Sequence, residues 1–401
     1  MMIVVAGLVL GGLGWYYTRK NANSYERADK SSTKKLLGDF PVNDIAQITI
    51  RQSTNEVDLI KGDDWTVKQR ADYPANASDI VKFARTLWDL RPAQSQKIGE
   101  SQLGRLDLLP PDKGGTNSGT LVVFKDKDGK QIRSLLLGKQ SMHSSDNSQF
   151  GGGWPNGRWL CLPDKPGMAY LVSETFSDIE PQPDHWLDKT FFKIQKPETI
   201  AVTFPEATNS WKLTRTNATA SWQLADAKSE EKLDTSKASS VAYPFSSASF
   251  NDVAINPKAA DTGLDKPTDI AVSTFDGFHY DVKIGAKTNN EYFLTVNVSA
   301  DLPGERTPGK DEKPEEKAKL DKEFKETQDK LKDKLSQEKA YAKWTYLVPS
   351  WSVDQLLKHR SQLLEEKKKP EAAAKANTSS TTRPAVKTSS VVSTNLNTAA
   401  N

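Results

Sequence analysis

Cys161 is the single cysteine in 401 residues, so no disulfide can form within the chain. Its stability must come from burial, either in a reducing compartment or in an exported protein that does without disulfides. Histidine is nearly as scarce. His143, His185, His279 and His359 lie far apart and share no ligand spacing, so they read as surface or hydrogen-bonded structural residues rather than metal ligands. No GxSxG, HExxH, phosphate-binding loop or dinucleotide fingerprint occurs. Asp126-Lys127-Asp128-Gly129 resembles the start of a calcium loop, but the glycine comes too early and no glutamate closes it. An excess of one charge is also lacking. Against 52 Asp and Glu stand 55 Lys and Arg, a net +3 with no basic–aromatic stripe, so nucleic acid is not an expected partner. These absences favour a non-enzymatic protein with no cofactor and no metal.

What is present begins with residues 1–17, MMIVVAGLVLGGLGWYY, which are uncharged and mostly apolar. As a helix they would span about 26 Å, just enough for a bilayer core. Trp15, Tyr16 and Tyr17 close the run, where amphipathic rings favour the lipid–water interface. No clean cleavage site follows, so residues 1–18 are expected to stay as a transmembrane signal anchor, with membrane lipid as one partner. Orientation is open on the residues alone. Arg19, Lys20, Arg27, Lys30, Lys34 and Lys35 all follow the run, and the positive-inside rule by itself keeps the body in the cytoplasm. A run starting at Met1-Met2 with no basic segment before it also fits a chain whose true start lies upstream.

The rest is organised around residues 119–139, GTLVVFKDKDGKQIRSLLLGK, a strand, a tight turn at Asp128-Gly129 and a second strand. The unit returns at 268–287 with its turn at Asp276-Gly277. Flanking features recur in order. Strands at 45–50, 57–60 and 65–67 match those at 200–204, 211–213 and 222–224, and a helix from Ser78 to about Leu90 matches one from Asp234 or Ser236, cut short by Pro244. Arg105-Leu106-Asp107 matches Gly263-Leu264-Asp265, and Tyr170-Leu171-Val172 matches Tyr346-Leu347-Val348. Ser177-x-x-Glu180 and Ser352-x-x-Gln355 fit capping boxes, the second opening a longer helix. The expected fold class is α+β. A transmembrane helix and a linker at 19–39 precede two tandem repeats, 40–190 and 196–366, each a mainly antiparallel sheet with one or two helices.

A charged insertion at 305–343 interrupts the second repeat. Its Leu320, Phe324, Leu331 and Leu335 form a short coiled-coil-like stripe, and a solvated helix is the plainer reading beside a partner-binding coil. Residues 367–401 have the composition of a disordered tail. The most unusual local composition is Gly151-Gly152-Gly153-Trp154 with Arg158 and Trp159. Trp154, Arg158 and Trp159 are candidate ligand-binding residues for a glycan or peptide, against the plainer reading of a loop that feeds a strand with Trp159 in the core. Cys161 reads as a packed thiol.

The order Gly62-Asp63-Asp64-Trp65, Tyr73-Pro74-Ala75, Leu106-Asp107, Leu137-Gly138-Lys139 and Tyr170-Leu171-Val172, behind an apolar N-terminus, resembles the "domain of unknown function 4340" family of bacterial membrane-anchored proteins. The match covers about 40–225 and extends faintly into the second repeat. The resemblance brings no catalytic residues. It implies a single-pass protein of the bacterial inner membrane with an extracytoplasmic, periplasmic body, acting as an accessory or scaffold subunit of a complex such as a gliding-type ABC transporter. The alternative is an extracytoplasmic glycan- or peptide-binding module.

Overall fold

The computed structural model of the protein describes residues 25–26, 34–113, 115–143, 153–309 and 312–366. The anchor expected at 1–18 and the tail expected at 367–401 lie outside them. Among the described residues, no helix is long and apolar enough to cross a membrane. The body is α+β, with two antiparallel sheets and a few helices, all within the unit Met1–Leu364.

The first sheet holds β1 (Tyr25–Glu26), β2 (Gln47–Arg51), β3 (Glu56–Lys61), β4 (Trp65–Val67), β5 (Tyr73–Pro74), β6 (Gln94–Lys97), β7 (Thr120–Lys125), β8 (Gln131–His143), β9 (Trp154–Cys161) and β10 (Met168–Val172). The second holds β11 (Pro197–Thr203), β12 (Trp211–Thr214), β13 (Gln223–Leu224), β14 (Asp252–Val253), β15 (Thr268–Thr274), β16 (Phe278–Thr288), β17 (Glu291–Ala300) and β18 (Tyr346–Pro349). Without β1 and β5 at its ends, the first sheet runs β6-β10-β9-β8-β7-β2-β3-β4. The second runs β14-β18-β17-β16-β15-β11-β12-β13, which is the same order. Helices α1 (Ala77–Trp88) and α2 (Thr235–Val241) occupy equivalent places in the chain. They are capped by Asn76 and Asp234, whose side chains accept from the next free backbone N–H groups.

The correspondence extends to single glycines. Thr120 pairs with Leu137, and Gly138 follows. Thr268 pairs with Ile284, and Gly285 follows. A Cβ on Gly138 would lie 2.3 Å from the Leu106 carbonyl oxygen and 2.7 Å from the Leu108 side chain. A Cβ on Gly285 would lie 2.1 Å from the Thr262 carbonyl oxygen and 3.2 Å from the Leu264 side chain. The residues between these pairs, Asp107 and Gly263, both turn through the left-handed region, at φ 52° and 67°. Gly263 therefore corresponds to Asp107. The sequence match that set it against Arg105 is two residues out.

Other expectations are corrected. The linker expected at 19–39 gives way to the fold before its end, since Leu36 and Leu37 are buried in the main core. Neither serine capping box opens a helix. Residues 177–178 form a turn, and residues 350–363 form turns and short 3-10 pieces with a capping box at His359 instead. The charged insertion does form a helix, α4 (Pro314–Lys339), following the short α3 (Ala259–Thr262). Most of it is exposed, as a solvated helix would be, but one face of its C-terminal half packs on the core through Leu331 and Leu335. Glu338 is buried there, accepting from the Tyr280 hydroxyl at 2.7 Å and the Lys193 backbone N–H at 3.3 Å.

One hydrophobic core runs through both sheets. At their meeting edge the Tyr73 ring lies 4.7 Å from Trp344, 5.6 Å from Phe250 and 6.1 Å from Tyr346, between centroids. Phe191 adds contacts at 5.0 Å to Phe250 and 4.6 Å to Tyr346. Beside them Arg70 holds Asp252 bidentately, at 2.6 and 2.8 Å. A second, smaller cluster of Ile98, Leu108, Leu136 and Ala169 covers part of the first sheet's other face.

Two predictions follow from this packing. Gly138→Ala and Gly285→Ala should each cost about 1–3 kcal/mol or more, because the Cβ meets backbone that cannot swing aside. Equal urea midpoints for wild type and both variants would contradict the equivalence. Burial also raises the Glu338 carboxyl above its ordinary range, against the Tyr280 hydroxyl and Lys334. A carboxyl with a raised folded pKa stabilises fully below its unfolded value, about 4.3, and loses that contribution as pH rises through the folded value. The thermal midpoint should therefore fall from acid toward neutral pH more steeply in wild type than in Glu338→Gln; identical slopes would show that folding does not raise this carboxyl.

Candidate functional site

Helix α1 buries Ile80, Phe83 and Leu87 against the first sheet. The same helical spacing leaves Asp79, Lys82 and Thr86 along one flank. Opposite that flank runs the segment that leaves β10, residues 173–186. The two flank a cavity of about 260 Å³ that is open to solvent on one side. Phe83, Phe176 and Trp186 line it, with Phe83 6.0 Å from Phe176 and 6.5 Å from Trp186 between ring centroids. Its polar wall carries Glu174, Thr175, Ser177, Asp178 and His185. The Glu174 Oε2 atom is shielded from solvent and has no hydrogen-bond partner.

The segment is held by named bonds. Phe176 sits at φ 49°, a conformation that bulky side chains rarely adopt. Its carbonyl accepts from Arg158 Nη1 at 2.8 Å, while Arg158 Nε donates to the Gly138 carbonyl at the same distance. Gln140 donates to the Ser177 hydroxyl at 3.1 Å. The Trp186 indole donates to the Glu180 carbonyl at 2.8 Å, and the Trp186 carbonyl accepts from the Asn76 backbone N–H, also at 2.8 Å. The cap of α1 and the far end of the segment are thus tied together.

The structure does not gather Trp154, Arg158 and Trp159 into one platform. Neighbouring side chains on β9 point to opposite faces of the sheet. Trp159 packs half-buried against the small cluster of Ile98, Leu108, Leu136 and Ala169. Arg158 faces the other way and uses its guanidinium on the two carbonyls behind the cavity. Trp154 is 56% exposed, roughly 13 Å along the strand from Arg158, with its ring 4.8 Å from His143. Of the Gly151–Gly153 run, residues 151 and 152 lie outside the described residues. Cys161 packs beside Trp159, and burial pushes its thiol up to about 11, which removes the thiolate a nucleophile needs.

Sequence reasoning missed Glu174, Asp178 and His185 as a group. Only the Ser177-x-x-Glu180 spacing drew attention to the segment, and it pointed to a helix. It also missed a Ser-His-Asp file on the second sheet. Ser273 Oγ lies 3.1 Å from His279 Nδ1, and His279 Nε2 lies 3.1 Å from Asp301 Oδ2. Asp301 is 92% exposed and Ser273 sits in a paired strand, its N–H groups committed to the ladder. Among the described residues, no group of three or more His, Cys, Asp or Glu side chains is placed to hold a metal.

A family model described as "Domain of unknown function (DUF4340)" matches residues 65–267. No curated protein and no solved structure gives a significant match.

Arg158→Lys tests the support of the cavity. A lysine offers one nitrogen in place of the separate Nε and Nη1 that reach the two carbonyls, so the 174–179 turn should open more readily, by about 1.5–3 kcal/mol for a charged hydrogen bond lost. Hydrogen exchange at the Ile179 amide, which donates to the Phe176 carbonyl at 3.2 Å, reports this opening. Unchanged protection would mean the turn holds without Arg158.

Proposed function

The chain belongs to the DUF4340 family, and from that premise we propose that it is a non-enzymatic, membrane-anchored accessory or scaffold subunit of a membrane complex such as a gliding-type ABC transporter. The observation that carries the reading is the cavity beside α1. It has an aromatic lining and an unpartnered carboxylate oxygen, but no nucleophile paired with a base, which suits recognition rather than turnover. The apolar run at 1–17 supports attachment to a bacterial inner membrane by a single span, and the family resemblance supports an extracytoplasmic, periplasmic body. The two sheets, with their common strand order and matched glycines, support tandem copies of one unit at 40–190 and 196–366.

A second reading, an extracytoplasmic binding module for a peptide or glycan, draws on the same cavity. Its carboxylates and rings suit a peptide side chain better than a sugar platform. Crosslinking in native membranes, followed by recovery of the full-length protein, separates the two readings. Permease or ATPase subunits are the expected companions. Recovery of no membrane protein would sink the accessory reading, and wall fragments alone would favour the module.

A further inference from the structure

We propose that the cavity between α1 and residues 173–186 binds a basic side chain, the ammonium or guanidinium of a lysine or arginine on a partner polypeptide. The proposal rests on the reading of this body as a recognition subunit and names what it recognises. Size comes first. About 260 Å³ is below the roughly 300–1,000 Å³ usual for drug-sized ligands, so the space suits a single side chain rather than a cofactor. Charge comes second. Asp79, Glu174 and Asp178 line the cavity against one cation, Lys82. Lys82 is exposed on α1, and its flexible stem lets the ammonium stand out in water.

The lining supplies the rest. Glu174 stands on the wall with its Oε2 shielded and unpartnered, and a turn of its side chain would bring that oxygen to an incoming N–H donor. Phe83, Phe176 and Trp186, largely buried in the core, show the space a narrow strip of aromatic carbon that takes the apolar stem. An anionic guest would meet three carboxylates. A neutral apolar guest would leave Glu174 Oε2 buried and without a donor. A basic group on an aliphatic stem answers both demands, and the Arg158 bond to the Phe176 carbonyl keeps the wall in place to receive it.

Ligand-observed NMR titration of the full chain in detergent, with Nα-acetyl-lysinamide, Nα-acetyl-argininamide and Nα-acetyl-norleucinamide, tests this directly. Saturable binding of the two basic probes is expected, with the neutral probe at least about tenfold weaker. Glu174→Gln, which keeps size and shape, should weaken the basic probes by a similar factor. Equal binding of norleucinamide would make the cavity a plain apolar pocket and overturn the proposal. No saturable binding of either basic probe would also overturn it, as would unchanged affinity in Glu174→Gln. The comparison of three probes on wild type stands even if the variant folds poorly. Because the probes are free amino-acid derivatives, failure here is distinguishable from failure of the chain to join a membrane complex.

Discussion

The edge-to-edge meeting of the two sheets is the constraint on which the remaining structure depends. Strands β5 and β14 are two residues long, and short edges of this kind have few ladder bonds to hold them. They are fixed instead by what lies beside them. Tyr73 from β5 enters the rings of Phe250, Trp344 and Tyr346, and Arg70 clasps Asp252 of β14. Each aromatic pair is worth about 0.5–1.5 kcal/mol beyond its burial. The Arg70–Asp252 pair adds direction more than net energy, since two partly buried charges repay their desolvation only when paired in good geometry. Losing either partner would leave the other stranded at the seam between the sheets.

The cavity hangs from this junction through one stretch of chain. Trp186 lines the cavity, Leu187 bridges to Ala75, the Asp188 amide donates to the Pro74 carbonyl, and Phe191 enters the aromatic cluster. Within eight residues the connector passes from the candidate site to the contact with the second sheet, and Ile194 then bonds the Phe245 carbonyl beyond it. A displacement at the junction would thus be felt at the Trp186 wall through packed side chains and backbone bonds. The glycine contacts act similarly inside each half. They let the turn at 106–108, and its counterpart at 262–264, lie directly on the hairpin, and any side chain there would lift the turn off the sheet.

Much of the fold was legible from the sequence where burial leaves a period. In β7, Thr120, Val122 and Phe124 are buried while Leu121 and Val123 are half-buried. In β16, Phe278, Tyr280, Val282 and Ile284 are buried between polar neighbours. Both patterns could be read from residue type alone. β6, with the sequence Gln-Ser-Gln-Lys, could not, because its strand character comes from pairing to β10 and not from its side chains. The helix expected after Ser352 failed for a related reason. Carbonyls it would have needed are taken elsewhere, Lys358 by the Trp211 indole and Leu363 by the Asp234 amide. The α4 stripe was visible, but Glu338 was not, since nothing local marks a glutamate destined to be buried under a tyrosine hydroxyl 58 residues away. Of the candidate site, Arg158 is legible as a candidate ligand-binding residue, but not its bonds to the Gly138 and Phe176 carbonyls. Its partner in space, Phe176, lies one strand later in the chain.

The contrast between the Ser273-His279-Asp301 file and the cavity shows why geometry alone does not make a catalyst. The file has the right atoms at hydrogen-bond distance, but it lies on the surface of a paired sheet with Asp301 almost fully exposed to water. The cavity has no such file, but it has what the open sheet lacks: walls, rings and an acceptor kept from solvent. Binding energy comes from groups whose desolvation is already met by the fold and whose partner arrives with the ligand. By that criterion, α1 and residues 173–186 are the part of this body best built to hold something.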